Sequence, residues 1–422
     1  MGFTLSVAQN EYLPQGATEV HAIVTVVADE DTEVTSADKL TEIIIIDVST
    51  SMEGERLDQA RIAGATAIDQ ITDGARFAVI AGNHQATVVV PMSRADAATK
   101  TSAKDIVGRL HATGGTVIGA WLRKADELFA AAHDGINHAL LLTDGKDEGE
   151  ARQALLRAIG GCEGHFACDC RGVGTDWIIE ELSTISSALL GTVDIIPSPA
   201  GMPAEFARII DRAMSKNVGD VWLHLWTPKG SRLGYVKQVY PIEGDLTGMG
   251  VAVTELISEY PTGAWSPGES RDYHLCLQVP PSRVGEERLA GRVSIASSGT
   301  VSQTTLVRAI WTGDDSLTAR ICPEVAHYTG QADLAEAIAG GLDALKSGDA
   351  STATVKLGRA VALATEVNNS QTLKLLQKVV EVVDYRTGTV QLRPEIAKAD
   401  QMALETRRTV TVRVSGDRGE VP

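Results

Sequence analysis

The chain has 422 residues, of which 44% are hydrophobic and 4% aromatic, and a net charge of −17. At roughly 100–200 residues per domain, that length makes two or three domains with room for sizeable cores. The acidic balance and the few aromatics exclude a nucleic-acid partner and favour cations and basic partners. No stretch approaches the ~18 apolar residues of a membrane span, and no basic segment followed by an apolar one marks a secretory signal. The expectation is a soluble cytoplasmic protein. Its cysteines, Cys162, Cys168, Cys170, Cys276 and Cys322, are odd in number and fit reduced thiols.

Residues 3–8 and 19–27 read as strands, the second rich in β-branched residues. Gly2 heads an N-myristoylation-like hexapeptide, but Phe3, Leu5 and Val7 alternate as a strand does. Ile43-Ile-Ile-Ile46 then forms a run of four β-branched residues, the pattern of a strand buried on both faces. From 41 to 215 strands and helices alternate: helices over 56–71, 95–110, 117–132, 150–159, 177–189 and 203–215; strands over 76–81, 86–90, 137–143, 165–173 and 192–196. The short Gly82-Asn-His84 turn makes 76–81 and 86–90 an antiparallel hairpin. The rest implies a doubly wound, mostly parallel α/β sheet covered on both faces.

Over 216–312 the pattern changes to short alternating runs near 221–226, 234–240, 252–256, 271–278, 287–296 and 303–310. They are separated by Pro228, Gly230, Gly263, Pro267-Gly268 and Pro280-Pro281. Such runs predict an antiparallel β-sandwich. The strands within 1–40 need partners, and this sandwich is their natural home, so the α/β domain is expected to be an insertion in it. Residues 313–390 read as a small helical region: 332–346, 352–367 and 370–384. The break at Gly341-Leu-Asp-Ala-Leu-Lys-Ser-Gly-Asp349 resembles a single tetratricopeptide unit, too few for a solenoid. Within 391–422, residues 407–414 alternate as a strand before a polar tail.

Asp47 ends the isoleucine strand, and Ser49 and Ser51 follow at alternate positions. The loop after a central parallel strand is where open α/β sheets bind ligands, and a carboxylate with two hydroxyls suits a hard cation. Thr116 closes the glycine-bearing stretch His111-Ala-Thr-Gly-Gly-Thr116. Asp144 ends Ala139-Leu-Leu-Leu-Thr-Asp144. Asp-x-Ser-x-Ser with a distant Thr and a distant Asp resembles the metal-ion-dependent adhesion site of von Willebrand factor A domains, and the resemblance covers 41–215. It implies a Mg²⁺ (or Mn²⁺ or Ca²⁺) ion held by Asp47, Ser49, Ser51, Thr116 and Asp144, with one position left for an Asp or Glu of a protein partner. The alanine- and glycine-rich helices have an actinobacterial look. Intracellular bacterial proteins of this kind often act as scaffolds, so the resemblance implies a non-enzymatic adaptor.

Two other readings stand beside this one. A metal-dependent hydrolase could use Asp47 and Asp144, but no nucleophile or base lies at a motif spacing, and neither a Gly-x-Ser-x-Gly elbow nor a phosphate loop occurs. Cys162, His165, Cys168 and Cys170 are ligand types that suit zinc. Their spacing is irregular for a zinc ribbon, and cysteines on a strand are more often small buried hydrophobes.

Overall fold

The computed structural model describes residues 2–30, 36–131, 135–146, 149–297 and 300–413. The chain divides into two compact units, one made of 1–32, 221–262 and 267–422, the other of 33–220 and 263–266. Three strands come first: β1 (Phe3–Gln9), β2 (Tyr12–Leu13) and β3 (Glu19–Ala28). The second unit then contributes β4 (Leu40–Asp47), α1 (Glu55–Gln70), β5 (Arg76–Gly82), β6 (Ala86–Arg94), α2 (Ala97–Val107) and α3 (Ile118–Ala130). It continues with β7 (Ile136–Thr143), α4 (Arg152–Cys162), β8 (Ala167–Val173), α5 (Ile179–Ala188), β9 (Val193–Ile196) and α6 (Met202–Met214).

These strands form one sheet in the order β6-β5-β4-β7-β8-β9. Every neighbouring pair is parallel except β5 and β6, the expected hairpin. Ile43 to Ile46 are all 0% exposed, because helices cover both faces of β4. On one face Ile44 and Ile46 join Leu57, Ala60 and Ala67 of α1 and Phe206, Ile209 and Ile210 of α6. Helix α1 approaches closely because Gly64 has no side chain: a Cβ there would lie 2.9 Å from both Ile46 and Val107. Burying an isoleucine contributes roughly 1.5–3 kcal/mol, so four in succession make β4 the anchor of this unit. Helix α6 is also held by charge. Arg171 Nε donates to Glu205 at 2.7 Å and Arg212 donates to Asp169 at 2.7 Å. His138 lies beside Asp169, with Nδ1 2.8 Å from Glu42 Oε2 and Nε2 3.3 Å from Asp169 Oδ2.

The first unit resumes with β10 (Val218–Trp226), β11 (Arg232–Tyr240), β12 (Gly244–Asp245), β13 (Val251–Thr254), β14 (Ile257–Trp265), β15 (Ser270–Gln278), β16 (Glu287–Ser297), β17 (Thr300–Val301) and β18 (Thr305–Trp311). Strands from both ends of the chain share a sheet, in the order β1-β3-β15-β11-β12. Strand β3 pairs along its whole length with β15, from Glu19 opposite Gln278 to Val27 opposite Ser270. The second sheet runs β13-β14-β10-β16-β18-β2. The two sheets meet closely at Gly291 of β16, where a Cβ would lie 2.8 Å from Leu277 of β15.

Strand β14 escaped the sequence reading because Gly263 looks like turn punctuation, and Pro261 lies within the strand as well. Strand β13 pairs only with Ile257, Ser258 and Glu259. Beyond Glu259 that edge of β14 therefore has no β13 ladder for the proline to break, and Gly263 takes a φ of +73° within the strand.

Five helices and a hairpin follow: α7 (Asp315–Thr318), α8 (Pro323–Lys346), α9 (Ala350–Glu366), α10 (Ser370–Val379), β19 (Val380–Asp384), β20 (Thr389–Leu392) and α11 (Lys398–Arg407). Asp349 and Asn369 cap α9 and α10, each accepting from a backbone N–H three residues on. The helix expected over 370–384 ends at Val379. Val380, Val390 and Leu404 instead join Leu357 and Val361 of α9 in one core. The strand expected over 407–414 does not form in its described part; only Val410 makes a bridge, with Ile242. Side chains take the backbone groups of Val412: Gln331 Nε2 donates to Val412 O and Val412 N donates to Gln331 Oε1, each at 2.7 Å. Residue 414 lies outside the described residues.

Candidate metal site

Strand β4 delivers Asp47 at its carboxyl end with no exposure. Ser49 N donates to Asp47 Oδ1 at 2.7 Å, and Thr143 Oγ1 donates to Oδ2 at 2.5 Å. Ser49 and Ser51 lie on the short turn between β4 and α1, with hydroxyl oxygens 3.0 Å apart. Ser51 Oγ donates to Asp144 Oδ1 at 2.6 Å. The loop before α3 is pinned to this turn. Thr113 N donates to Val48 O at 2.7 Å and Thr50 N to Gly114 O at 3.0 Å. Gly114 sits at φ +78°, and a Cβ on it would strike His84. That loop carries Thr116 to the site. A Cβ on Gly145 would lie 3.3 Å from Thr116 Oγ1 and 3.5 Å from Ser51 Oγ.

The five residues singled out in the sequence therefore converge, brought by three loops at the carboxyl ends of β4, β7 and the segment before α3. Asp47, Ser49, Thr116 and Asp144 are buried, while Ser51 is exposed at the mouth. Two further side chains belong to the arrangement and were not singled out. Thr143 holds Asp47 in place. It was visible only as the neighbour of Asp144, and its contact depends on the pairing of β4 with β7. Arg56, from the first turn of α1, pairs through Nη1 with Asp144 Oδ2 and through Nη2 with Asp176 Oδ2 at 3.2 Å.

Burial pushes the Asp47 carboxyl up to about 6; the hydrogen bonds from Ser49 and Thr143 pull it down, and the neighbouring Asp144 adds a smaller upward push. Five oxygen donors, two of them carboxylates, form a hard-ligand set of the kind magnesium and calcium take. The 3.0 Å between the serine oxygens is what adjacent ligands have around a magnesium ion at about 2.1 Å, since an octahedral edge is about 1.4 times the bond. The residues present fit such a cation.

The four candidate zinc ligands do not gather. Cys168 and Cys170 share a face, with sulfurs 3.9 Å apart. Cys162 donates to Leu122 O, and His165 Nδ1 lies 2.7 Å from Asp126 instead. Hydrogen bonding between the two thiols, with burial, holds Cys168 well above the ordinary thiol range, as suits an inert core cysteine. Among the described residues the group of three or more His, Cys, Asp or Glu ligand atoms within 4.8 Å of one another lies elsewhere, at Glu19, His21 and Cys276.

Comparison with known proteins places the fold in a family. The von Willebrand factor type A domain model matches residues 43–188, and the von Willebrand factor type A C-terminal domain model matches 362–408. A von Willebrand factor type A protein from Catenulispora acidiphila is 46% identical, with 98% of this chain and 97% of that chain covered and a TM-score of 0.92. The chain belongs to the von Willebrand factor type A family. The ArnB paralog VWA2 from Sulfolobus acidocaldarius, 13% identical, shares the fold over 98% of this chain and all of its own, with a TM-score of 0.59. An uncharacterized protein of Synechocystis sp. is 27% identical over 209 residues, 48% of this chain. The chain spans about half the length of that curated relative, 49%. Domains of this family are protein-interaction modules that commonly bind divalent cations. Among the described residues no helix is long and apolar enough to cross a membrane.

Proposed function

We propose that the chain is a metal-dependent protein-binding module, an intracellular scaffold or adaptor without catalytic turnover. Asp47, Ser49, Ser51, Thr116 and Asp144 would hold Mg²⁺, or Mn²⁺ or Ca²⁺ in its place. The bound cation would supply a Lewis-acidic position for an Asp or Glu carboxylate of the partner. The observation that carries this reading is the convergence of five oxygen donors around Ser51, the exposed one. The chain's own part is to hold these donors in place: Thr143 and Ser49 N fix Asp47, and the pinned loop fixes Thr116. Two carboxylates balance a divalent ion, so a third from the partner meets only modest repulsion.

The test joins calorimetry to capture. Mg²⁺ should bind the wild-type chain at one equivalent, and neither Asp47→Ala nor Ser49→Ala should bind it with comparable affinity. Proteins retained by the immobilised wild type in Mg²⁺ should be lost in chelator and on the Asp47→Ala variant. Retention that ignores both would move recognition to the sandwich or the helices. Metal-dependent turnover of a phosphate ester by wild type, abolished in Asp47→Ala, would establish the hydrolase in place of the adaptor.

A further inference from the structure

Alternation along two paired strands places a second cluster of ligand side chains in the first unit, on the β1-β3-β15-β11-β12 sheet. Glu19 and His21 are two apart on β3 and point to the same side. On β15, His274 and Cys276 do the same. The register sets His21 opposite Cys276 and Glu19 opposite Gln278, and on the other flank Tyr235 of β11 stands opposite Cys276. Val20, Ala22 and Val24 occupy the intervening positions of β3 and are fully buried. The ligand cluster therefore lies on the face away from those residues. Ligand atoms of Glu19, His21 and Cys276 fall within 4.8 Å of one another. His21 Nδ1 is 3.3 Å from His274 Nε2, and the Tyr235 hydroxyl is 3.3 Å from the first and 3.2 Å from the second.

We propose that Glu19, His21 and Cys276 form a binding site for a zinc-class transition-metal ion, with His274 and the Tyr235 hydroxyl hydrogen-bonded beside it. A thiolate, an imidazole and a carboxylate make a soft-to-borderline set that suits zinc, with a water to complete four ligands, and disfavours magnesium or calcium. The site is chemically unlike the all-oxygen site at Asp47. The Cys276 thiol would give up its proton on binding the metal. Lys237 stands opposite His274 in the register, and its charge opposes a cation; Glu19, exposed at the mouth, offsets it. His21 and His274 are 253 residues apart in sequence. A bound ion would therefore clamp β3, which precedes the inserted α/β unit, to β15, which lies beyond it.

Cobalt(II) reports this site by spectroscopy. The full chain, stripped with chelator and kept reduced, is titrated with Co²⁺ and then with Zn²⁺. One equivalent of Co²⁺ should give tetrahedral d–d bands and a thiolate-to-cobalt charge-transfer band, both bleached by Zn²⁺. Cys276→Ser should lose the charge-transfer band, and His21→Gln should weaken binding by more than about tenfold. Asp47→Ala, Cys168→Ser and Cys170→Ser should leave both signals in place. His21 is only half-buried, so its variant should fold even if Cys276→Ser does not. Protection of Cys276 from alkylation by Zn²⁺ in the wild type gives a third readout, free of substitution. A wild-type chain with no tetrahedral cobalt spectrum would overturn the proposal and leave a neutral His–His–Tyr hydrogen-bonded cluster. A spectrum that survives both His21→Gln and Cys276→Ser would overturn it too.

Discussion

Replacing Asp47 by asparagine separates the cost of its charge from the value of its shape. The folded carboxyl titrates near 6 against an ordinary 3.8, with burial as the chief cause. That difference is worth about 3 kcal/mol at 1.36 kcal/mol per unit. A carboxyl raised above its unfolded value lends stability that is complete below about pH 3.8 and lost as pH rises through about 6. At neutral pH the ionised group is therefore a burden of that size until a cation shares its pocket. Asparagine keeps an acceptor for Ser49 N and gives up the bond from Thr143, about 1 kcal/mol. In chelator at neutral pH, Asp47→Asn should match wild type or exceed it by up to about 2 kcal/mol. Mg²⁺ at a hundred times its dissociation constant should add about 2.7 kcal/mol to wild type and far less to the variant. Scanning calorimetry in chelator and in Mg²⁺ reads both differences. A variant clearly less stable than wild type in chelator, or one that gains as much from Mg²⁺, would refute the reasoning.

Proton and cation compete for Asp47, so Mg²⁺ affinity should fall about tenfold per unit as pH drops below about 6; calorimetry at stepped pH reads this, and a flat profile would contradict it. Arg56 holds Asp144 Oδ2 and places a positive charge beside the cation position. Arg56→Gln should therefore tighten Mg²⁺ severalfold, most visibly at low salt, and weaker binding would show that the guanidinium instead orients Asp144. Gly145→Ala would set a methyl 3.3 Å from Thr116 Oγ1 and 3.5 Å from Ser51 Oγ; Mg²⁺ binding should weaken while the metal-free melting temperature barely moves. His138 is lowered by burial but raised more by Glu42 and Asp169, to about 9. Its contribution is whole below about pH 6.5 and lost as pH rises through 9. Wild type should lose on the order of 3 kcal/mol on this account between neutral pH and pH 10, and denaturation of His138→Gln should show a flatter profile.

Much of the α/β unit was legible because its signals are local. Four isoleucines in succession can only be a strand covered on both sides, and the spacing of apolar residues in 56–71 can only be a helix packed on one face. The five oxygen donors were legible for the same reason: each sits in a short motif at the end of an element with a strong periodic signal. What escaped depended on partners far along the chain. Gly263 read as turn punctuation until the sheet showed it inside β14, past the short reach of β13. Val380 continued a helical pattern until the core shared with α9 drew it into a strand. Gln331, 81 residues away, took the hydrogen bonds at Val412 that a strand would have used. Thr143 and Arg56 joined the candidate metal site only once β7 lay beside β4 and α1 turned back over the loop.

The composition of each element, and the chemistry of the Asp47 loop, were determined by sequence alone, because periodicity and motif spacing act over a few residues. Glu19, His21, His274 and Cys276 show the other half. Within each strand they are ordinary alternating residues, and they became one cluster only because the chain leaves the sheet at β3, builds a whole α/β unit, and returns to pair β15 with β3 in one register. Shifting that register by a single residue would turn the β15 side chains to the opposite face. The cluster is therefore a property of the tertiary pairing, which no local pattern encodes.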